Sequence, residues 1–464
     1  MKTFSYFKRF RLSALTATVL LLPSVSYGDT LEQTVAKTLD THPELRIAFN
    51  QFKVREEQVN QAYADYLPDI ELTAGWGLEN TNSPSTRRNF LNQDGETELK
   101  RGEAGISIRQ MLFNGFRTGN EVDRISAEAT AQQWALAAAA EDIALDVAKV
   151  YIHYLQAEQI LTLANKNLKT HEQIFDQIKQ RTDSGLGSVA DLSQITGRLA
   201  RANANIISAR NNLYDAQAEY RRITGKPPQA LIAPIPDADM LPEDLNDTLK
   251  LAQAHHPVIK SAMQDIQAAQ HEQQASQSNY YPTVTLELSG NWNNDINGED
   301  GRSFTGSVGG HSNDLQAMVR MRYNLFAGGR DAAREREAAY KINEAKEIRE
   351  RAQRQIVEGA SLAWNAYELL TPQKKYIRRH VEAAKETQTA YVQQFNLGQR
   401  SLLDLLDTEN ELFEARKDYL RAEYDETLAR YRVLNATGRL LDSLRVTRPE
   451  SWRGEHDFQG GAFK

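Results

Sequence analysis

The chain has 464 residues, 41% of them apolar, and carries 55 Lys and Arg against 62 Asp and Glu, a net charge of −7. Four of the basic residues and none of the acidic ones lie in the first 28, so the remainder stands at −11, which excludes the basic footprint of a nucleic-acid binder. No cysteine is present, which excludes disulfides, thiolate metal sites and a lipidated cysteine anchor.

Residues 1–28 read as a secretory leader: Lys2, Lys8, Arg9 and Arg11, an apolar run from Leu12 to Leu22, then Ser26-Tyr27-Gly28 as a small-residue cleavage site. No later apolar run approaches the roughly 18 to 20 residues of a membrane-spanning helix. Residues 30–66 read as helix with a break at Thr41-His42-Pro43, where proline at the first helical position restarts it. Asp69 to Leu78 then alternates, with Ile70, Leu72, Ala74, Trp76 and Leu78 against Asp69, Glu71, Thr73, Gly75 and Gly77. Ala104 to Leu112 alternates in the same way, so residues 69–112 form a hairpin with a long polar loop.

A long helix is expected over 118–182. Val147, Tyr154, Leu161, Leu168 and Phe175 recur every seven residues, and Ile143, Val150, Ala157, Ala164 and Ile178 fill a second seam that only His171 interrupts. Sustained heptads of this kind signal a coiled coil, here a rod of roughly 100 Å. Gly185 ends that helix, Ser188 caps a returning helix over 188–223, and the pattern then starts again. His42-Pro43 recurs as His256-Pro257 and Tyr66-Leu67-Pro68 as Tyr280-Tyr281-Pro282, 214 positions on. Leu112-Phe113-Asn114-Gly115 recurs as Leu325-Phe326-Ala327-Gly328, and Gly185, Ser188, Asp191 and Thr224-Gly225 as Gly398, Ser401, Asp404 and Thr437-Gly438, 213 positions on. Landmarks in one order at a near-constant offset indicate a duplicated unit. The first repeat is placed at 29–240 and the second at 241–444, with a hairpin at 283–326, a long helix at 330–396 bent at Pro372 and a return at 401–436. Residues 445–464 have no periodicity and read as a loosely ordered tail.

Chemistry is sparse. Gly185-Leu186-Gly187-Ser188-Val189-Ala190 fits a dinucleotide pattern, but a helix precedes it and Arg400 replaces Gly187 in the other copy. His255-His256 has no second pair of metal ligands at helical spacing. No catalytic site, metal site or cofactor is expected. Asp404 and Asp407, three apart on one helical face after Gly398-Gln399-Arg400, are the sharpest polar feature. They serve as partners of the helix dipole or as an acidic ring, and the first copy keeps Asp191 but has Gln194 in place of the second acid.

The expected fold class is α+β, with coiled-coil helices and four amphipathic strands about ten residues long, the length of transmembrane β-strands. Hairpins covering a soluble core are the other reading of those strands. In lipid, four strands leave open edges that other chains must complete. Two chains give eight strands and a filled interior, whereas three give twelve and a lumen.

The doubled His-Pro, the doubled Tyr-x-Pro before a strand, the doubled Leu-Phe-x-Gly after one, and the run from Gly398 to Asp407 make the chain resemble the TolC family of outer-membrane efflux and secretion proteins over residues 31–441. That resemblance implies a homotrimer whose twelve-stranded barrel lies in outer-membrane lipid and whose helical tunnel crosses the periplasm. It further implies docking to a periplasmic adaptor and an inner-membrane ABC transporter. It places Asp404 and Asp407 as acidic rings at the tunnel entrance, and Arg400 and Asp191 in links that hold neighbouring helix pairs closed. Phe395 departs from the pattern, since some relatives carry a tyrosine there and phenylalanine cannot donate a hydrogen bond. The runs 171–178, 185–194 and 197–205 are similar to the LapE/AggA-like branch, which implies type I secretion of a large protein cargo such as an adhesin. Small-molecule efflux and a soluble periplasmic coiled-coil scaffold are the competing functions.

Overall fold

The computed structural model describes residues 28–84, 86–88, 96–296 and 310–454. The leader, apart from Gly28, and residues 455–464 of the tail lie outside them. Helices α1 (Leu31–Thr41) and α2 (Pro43–Ala64) lead into strands β1 (Asp69–Thr81) and β2 (Thr97–Phe113), then the long α3 (Arg117–Asp183) and its return α4 (Val189–Thr224). The order repeats with α5 (Leu245–His255), α6 (Pro257–Gln277), β3 (Thr283–Asn294), β4 (His311–Arg322), α7 (Arg330–Asn396) and α8 (Leu402–Ala436), closed by a short α9 (Leu440–Ser443). The fold is α+β, as the two periodicities require.

Local chemistry explains the recurring landmarks. At His42-Pro43 and His256-Pro257 the imidazole Nδ1 accepts the N–H of Glu44 and of Val258, each at 3.3 Å, while the proline occupies the first helical position. The doubled His-Pro is a helix-starting device, and it disposes of the His255-His256 metal pair.

The four strands form one antiparallel sheet in the order β1-β2-β3-β4, and the β2–β3 pairing joins the two halves of the chain. Over the middle of the sheet the register aligns residues of like polarity, with Met318 the exception in the rows that follow. Ile70, Ile108, Leu288 and Ala317 form one row, and Asp69, Arg109, Glu287 and Met318 the next. One face is therefore apolar and the other largely polar.

Helices α3 and α7 each run 67 residues, about 100 Å at 1.5 Å per residue, and α7 continues without interruption through Pro372. In α3 the seam Ile143, Val150, Ala157, Ala164, His171 and Ile178 is buried throughout. His171 keeps its place because its Nδ1 lies 2.9 Å from the Asn167 carbonyl. On the other seam Val147 is buried, whereas Tyr154, Leu161, Leu168 and Phe175 are only half-buried within one chain.

The main core lies midway along the rod, where Leu31, Val35, Leu39, Val147, Tyr151, Tyr220, Tyr431 and Leu440 pack together. Residues 445–454 depart from the expected loose tail. Trp452 is 4% exposed within that core, and its carbonyl accepts the Gln133 side-chain amide at 2.9 Å. Arg448 pairs with buried Glu141 at 3.4 Å. A large aromatic and a buried ion pair help to hold a segment that periodicity cannot reveal, because neither recurs.

Candidate functional site

Two places carry the chemistry of the molecule: the sheet at one end and the helical turns at the other. On the sheet, the apolar face covers nothing within the chain. Ile70, Leu72, Trp76 and Leu78 are 63 to 79% exposed, and Leu315, Val319 and Met321 on β4 are exposed as well. Hairpins capping a soluble core would bury these side chains, so that reading fails. The outer edges of β1 and β4 have no strand partner among the described residues. Among those residues no helix is long and apolar enough to cross a membrane.

At the other end the α3–α4 and α7–α8 turns are built alike. Gly185 and Gly398 adopt φ +78° and +72°, a left-handed conformation that glycine takes without steric cost. Each closes its helix with the same backbone bond, Leu186 N–H to the Arg181 carbonyl and Gln399 N–H to that of Gln394, at 2.9 and 2.8 Å. Ser188 and Ser401 then cap the returning helices. Beneath the turns Ile174, Ile178, Ile195, Phe395, Leu402, Leu405 and Leu406 form a small core that packs the two helix pairs together.

The sequence-selected residues have distinct surroundings. Asp404 sits at the third position of α8 in a capping box, its backbone N–H donating to Ser401 Oγ at 3.2 Å while its carboxylate accepts the Ser401 N–H at 3.3 Å. Part of its role is therefore to start the helix. Asp407 is 58% exposed and ion-paired with Arg198 of α4, Nη2 to Oδ1 at 2.6 Å. Arg400 lies 4.4 Å above the Tyr391 ring and donates from Nε to Gln394 Oε1 at 3.0 Å, with Asp404 4.0 Å away. Asp191, half-buried in the first turn of α4, has no side-chain partner among the described residues, and Arg400 does not reach it within the chain.

Sequence reasoning missed Arg181, Tyr391 and Arg198 as contributors. Phe395 offers its ring face to the Arg181 guanidinium at 5.3 Å, so an aromatic that cannot hydrogen-bond still ties α7 to α3. Tyr391 holds Arg400, and Arg198 holds Asp407. A signal for Arg198 existed: 213 positions on, its counterpart is Glu411, a reversal of charge in an otherwise matched register. Among the described residues no group of three or more His, Asp or Glu is placed to hold a metal.

The profile of the outer membrane efflux protein family matches residues 34–226 and 248–439, one stretch in each half of the fold. The chain belongs to that family. It is a channel-tunnel of the TolC type, resident in the outer membrane with its long helices in the periplasm, and a conduit rather than an enzyme. The outer membrane efflux protein BepC of Brucella suis biovar 1 is 26% identical over 429 residues, 92% of this chain and 89% of that one. The outer membrane protein TolC of Vibrio cholerae is 24% identical over 433 residues, 92% and 95% of the two chains. The solved structure of the Campylobacter jejuni CmeC outer membrane channel superposes with a TM-score of 0.74 at 14% identity, covering 94% of this channel and 90% of that one. That likeness is one of fold. The soluble periplasmic scaffold is overturned by this membership.

Proposed function

We propose that three copies of this channel close a twelve-stranded barrel, continue it as a helical tunnel, and serve as the outer-membrane duct of a small-molecule efflux machine. The observation that carries this reading is the four-stranded sheet with two unpaired edges and an exposed apolar face. Such a sheet is stable in lipid only when other copies complete it, and twelve strands leave a lumen where eight do not. A periplasmic adaptor and an inner-membrane transporter would supply the energy and the cargo. Similarity to BepC, itself described as an efflux protein, favours small molecules over protein. In this reading Asp404 and Asp407 from three chains form acidic rings at the entrance, and Arg400 and Asp191 meet across neighbouring copies as closing links. The carboxylates would favour cations there, and replacing both by Asn would weaken cation selectivity in a planar bilayer.

A second reading, type I secretion of a large adhesin through an ABC transporter, is favoured by the runs 171–178, 185–194 and 197–205. Deletion of the chain separates the two. Greater sensitivity to drugs and detergents with unchanged surface protein supports efflux. Loss of very large surface protein with unchanged sensitivity overturns it in favour of secretion.

A further inference from the structure

One buried donor has no use within the chain. His42 is 7% exposed, and its Nδ1 accepts the Glu44 N–H, so the neutral ring carries its proton on Nε2. Among the described residues that Nε2–H meets no acceptor, and a covered donor left unpaired is costly. His42 lines a cleft of about 470 Å3 beside the main core, over the face of α3 that carries Asp146, Lys149 and His153, with α4 and α8 as its walls. Ile143, Val150 and Ile223, which belong to that core, give the cleft its apolar surface. Four carboxylates line it, those of Glu44, Asp146, Glu219 and Asp425, against the two cations Lys149 and Arg222. Asp146 holds Lys149 at 2.8 Å, and the His153 ring lies 3.3 Å from Glu219. Glu44, Asp425 and Arg222 have no ion-paired or hydrogen-bonded side-chain partner among the described residues, which leaves the free charge with an acidic excess. The set is not a by-product of the duplication: 213 positions on, Asp146, Lys149 and His153 match Gly359, Leu362 and Ala366, and Glu219 matches Arg432.

We propose that this cleft is a relay site for cargo inside the tunnel, and that it takes a small amphiphilic organic cation bearing a hydrogen-bond acceptor. The proposal rests on the small-molecule efflux reading above and adds to it a place and a substrate class. The apolar body lies on Ile143, Val150 and Ile223, the positive charge is met by Glu44 and Asp425, and a carbonyl or ether oxygen accepts the His42 Nε2–H. Helix geometry places the cleft. At about 100° per residue, Val147 and Tyr151 leave α3 on the side away from Lys149 and His153, and there they pack with Leu31, Val35 and Leu39 of α1. An added layer such as α1 belongs outside a tunnel, because inside it would fill the lumen, so the cleft fronts the lumen. Helix α3 packs against both α4 and α8 of its own chain, so a neighbouring copy joins elsewhere and leaves the cleft open to passing cargo.

The probe is dibucaine, a fluorescent amphiphilic cation with an amide carbonyl, titrated against the assembled channel in lipid nanodiscs with empty nanodiscs subtracted. The native channel should bind it saturably, and the anion anilinonaphthalene sulfonate should not displace it. His42→Ser keeps a capping acceptor but no donor that reaches the cleft, and should weaken binding about fivefold. Asp425→Asn, at an exposed position where the fold loses nothing, should weaken it by about the same factor, as should Glu44→Gln. Equal affinity in the native channel and all three variants puts the probe elsewhere and overturns the site. Displacement by the anion overturns the substrate class. Growth of a deletion strain on dibucaine reads the efflux function separately. Normal growth together with variant-dependent binding removes the efflux reading and keeps the site, whereas hypersensitivity together with variant-independent binding keeps efflux and removes the site.

Discussion

Arg198 of α4 and Asp407 of α8 meet at 2.6 Å and bind the two helix pairs of one chain together near their turns. The acid that the family resemblance places in an entrance ring is thus ion-paired within its own chain. An ion pair with side chains 25% and 58% exposed contributes at most about 1 kcal/mol. Arg198→Ala should therefore leave the melting temperature nearly unchanged and raise the cation-to-anion permeability ratio in a planar bilayer, because it uncovers a carboxylate. An unchanged ratio would mean that Asp407 sets no field at the mouth.

Asp404 differs because its N–H and carboxylate are both engaged by Ser401. Ser401→Ala should cost about 1 kcal/mol and speed amide exchange over the first turn of α8. Exchange equal to that of the native chain would show that the box does not hold the turn.

Burial pushes His256 down to about 4, against about 6.5 in an unfolded chain, and its cap requires the unprotonated Nδ1. The folded-state value is depressed, so the unfolded chain binds the extra proton between these limits. Stability should fall as pH drops from about 6.5 to about 4, by up to roughly 3 kcal/mol, and then level off. His256→Asn keeps a capping acceptor and removes the titration. Its unfolding free energy should lack this slope, and parallel curves for the two proteins would refute the assignment.

Glu141 has the opposite sign. Desolvation pushes it up to about 7, although Arg448 and the Leu440 and Leu441 N–H groups, at 2.9 and 3.3 Å from Oε2, oppose the shift. A raised folded-state value favours the protonated form, so its contribution is full below about 4.5 and is lost as pH rises through about 7. Glu141→Gln keeps an acceptor for both N–H groups and should become relatively more stable than the native chain over that interval. Glu141→Ala strands both donors and should cost about 3 kcal/mol below about pH 4.5, a cost that shrinks as pH rises through about 7 because the variant lacks the titration. Thermal denaturation from pH 4 to 8 decides; a Gln variant as costly as Ala would discard the role of the acceptor oxygen.

Much of the architecture was legible because it is periodic or repeated. Alternation from Ile70 to Leu78 marks a strand with one apolar face, the heptads from Ile143 to Ile178 mark the rod, and Gly185 and Gly398 mark its turns. The tail was not legible: Trp452 and the Arg448–Glu141 pair act once each, across some three hundred residues. At the α7–α8 turn, residue types pointed to Asp404 and Asp407, but periodicity along one helix says nothing about what the neighbouring pair presents.

Sequence alone determined the duplicated order of elements, the polarity of each strand face and the caps that start each helix, since all of these depend on residues a few positions apart. Only the tertiary structure decided that β2 and β3 join the halves, that Arg198 engages Asp407 while Arg400 does not reach Asp191 within the chain, and that Arg181 rests on Phe395. Those are contacts between residues remote in sequence, set by helix packing and strand register, where a side chain's partner depends on which faces the whole chain brings together.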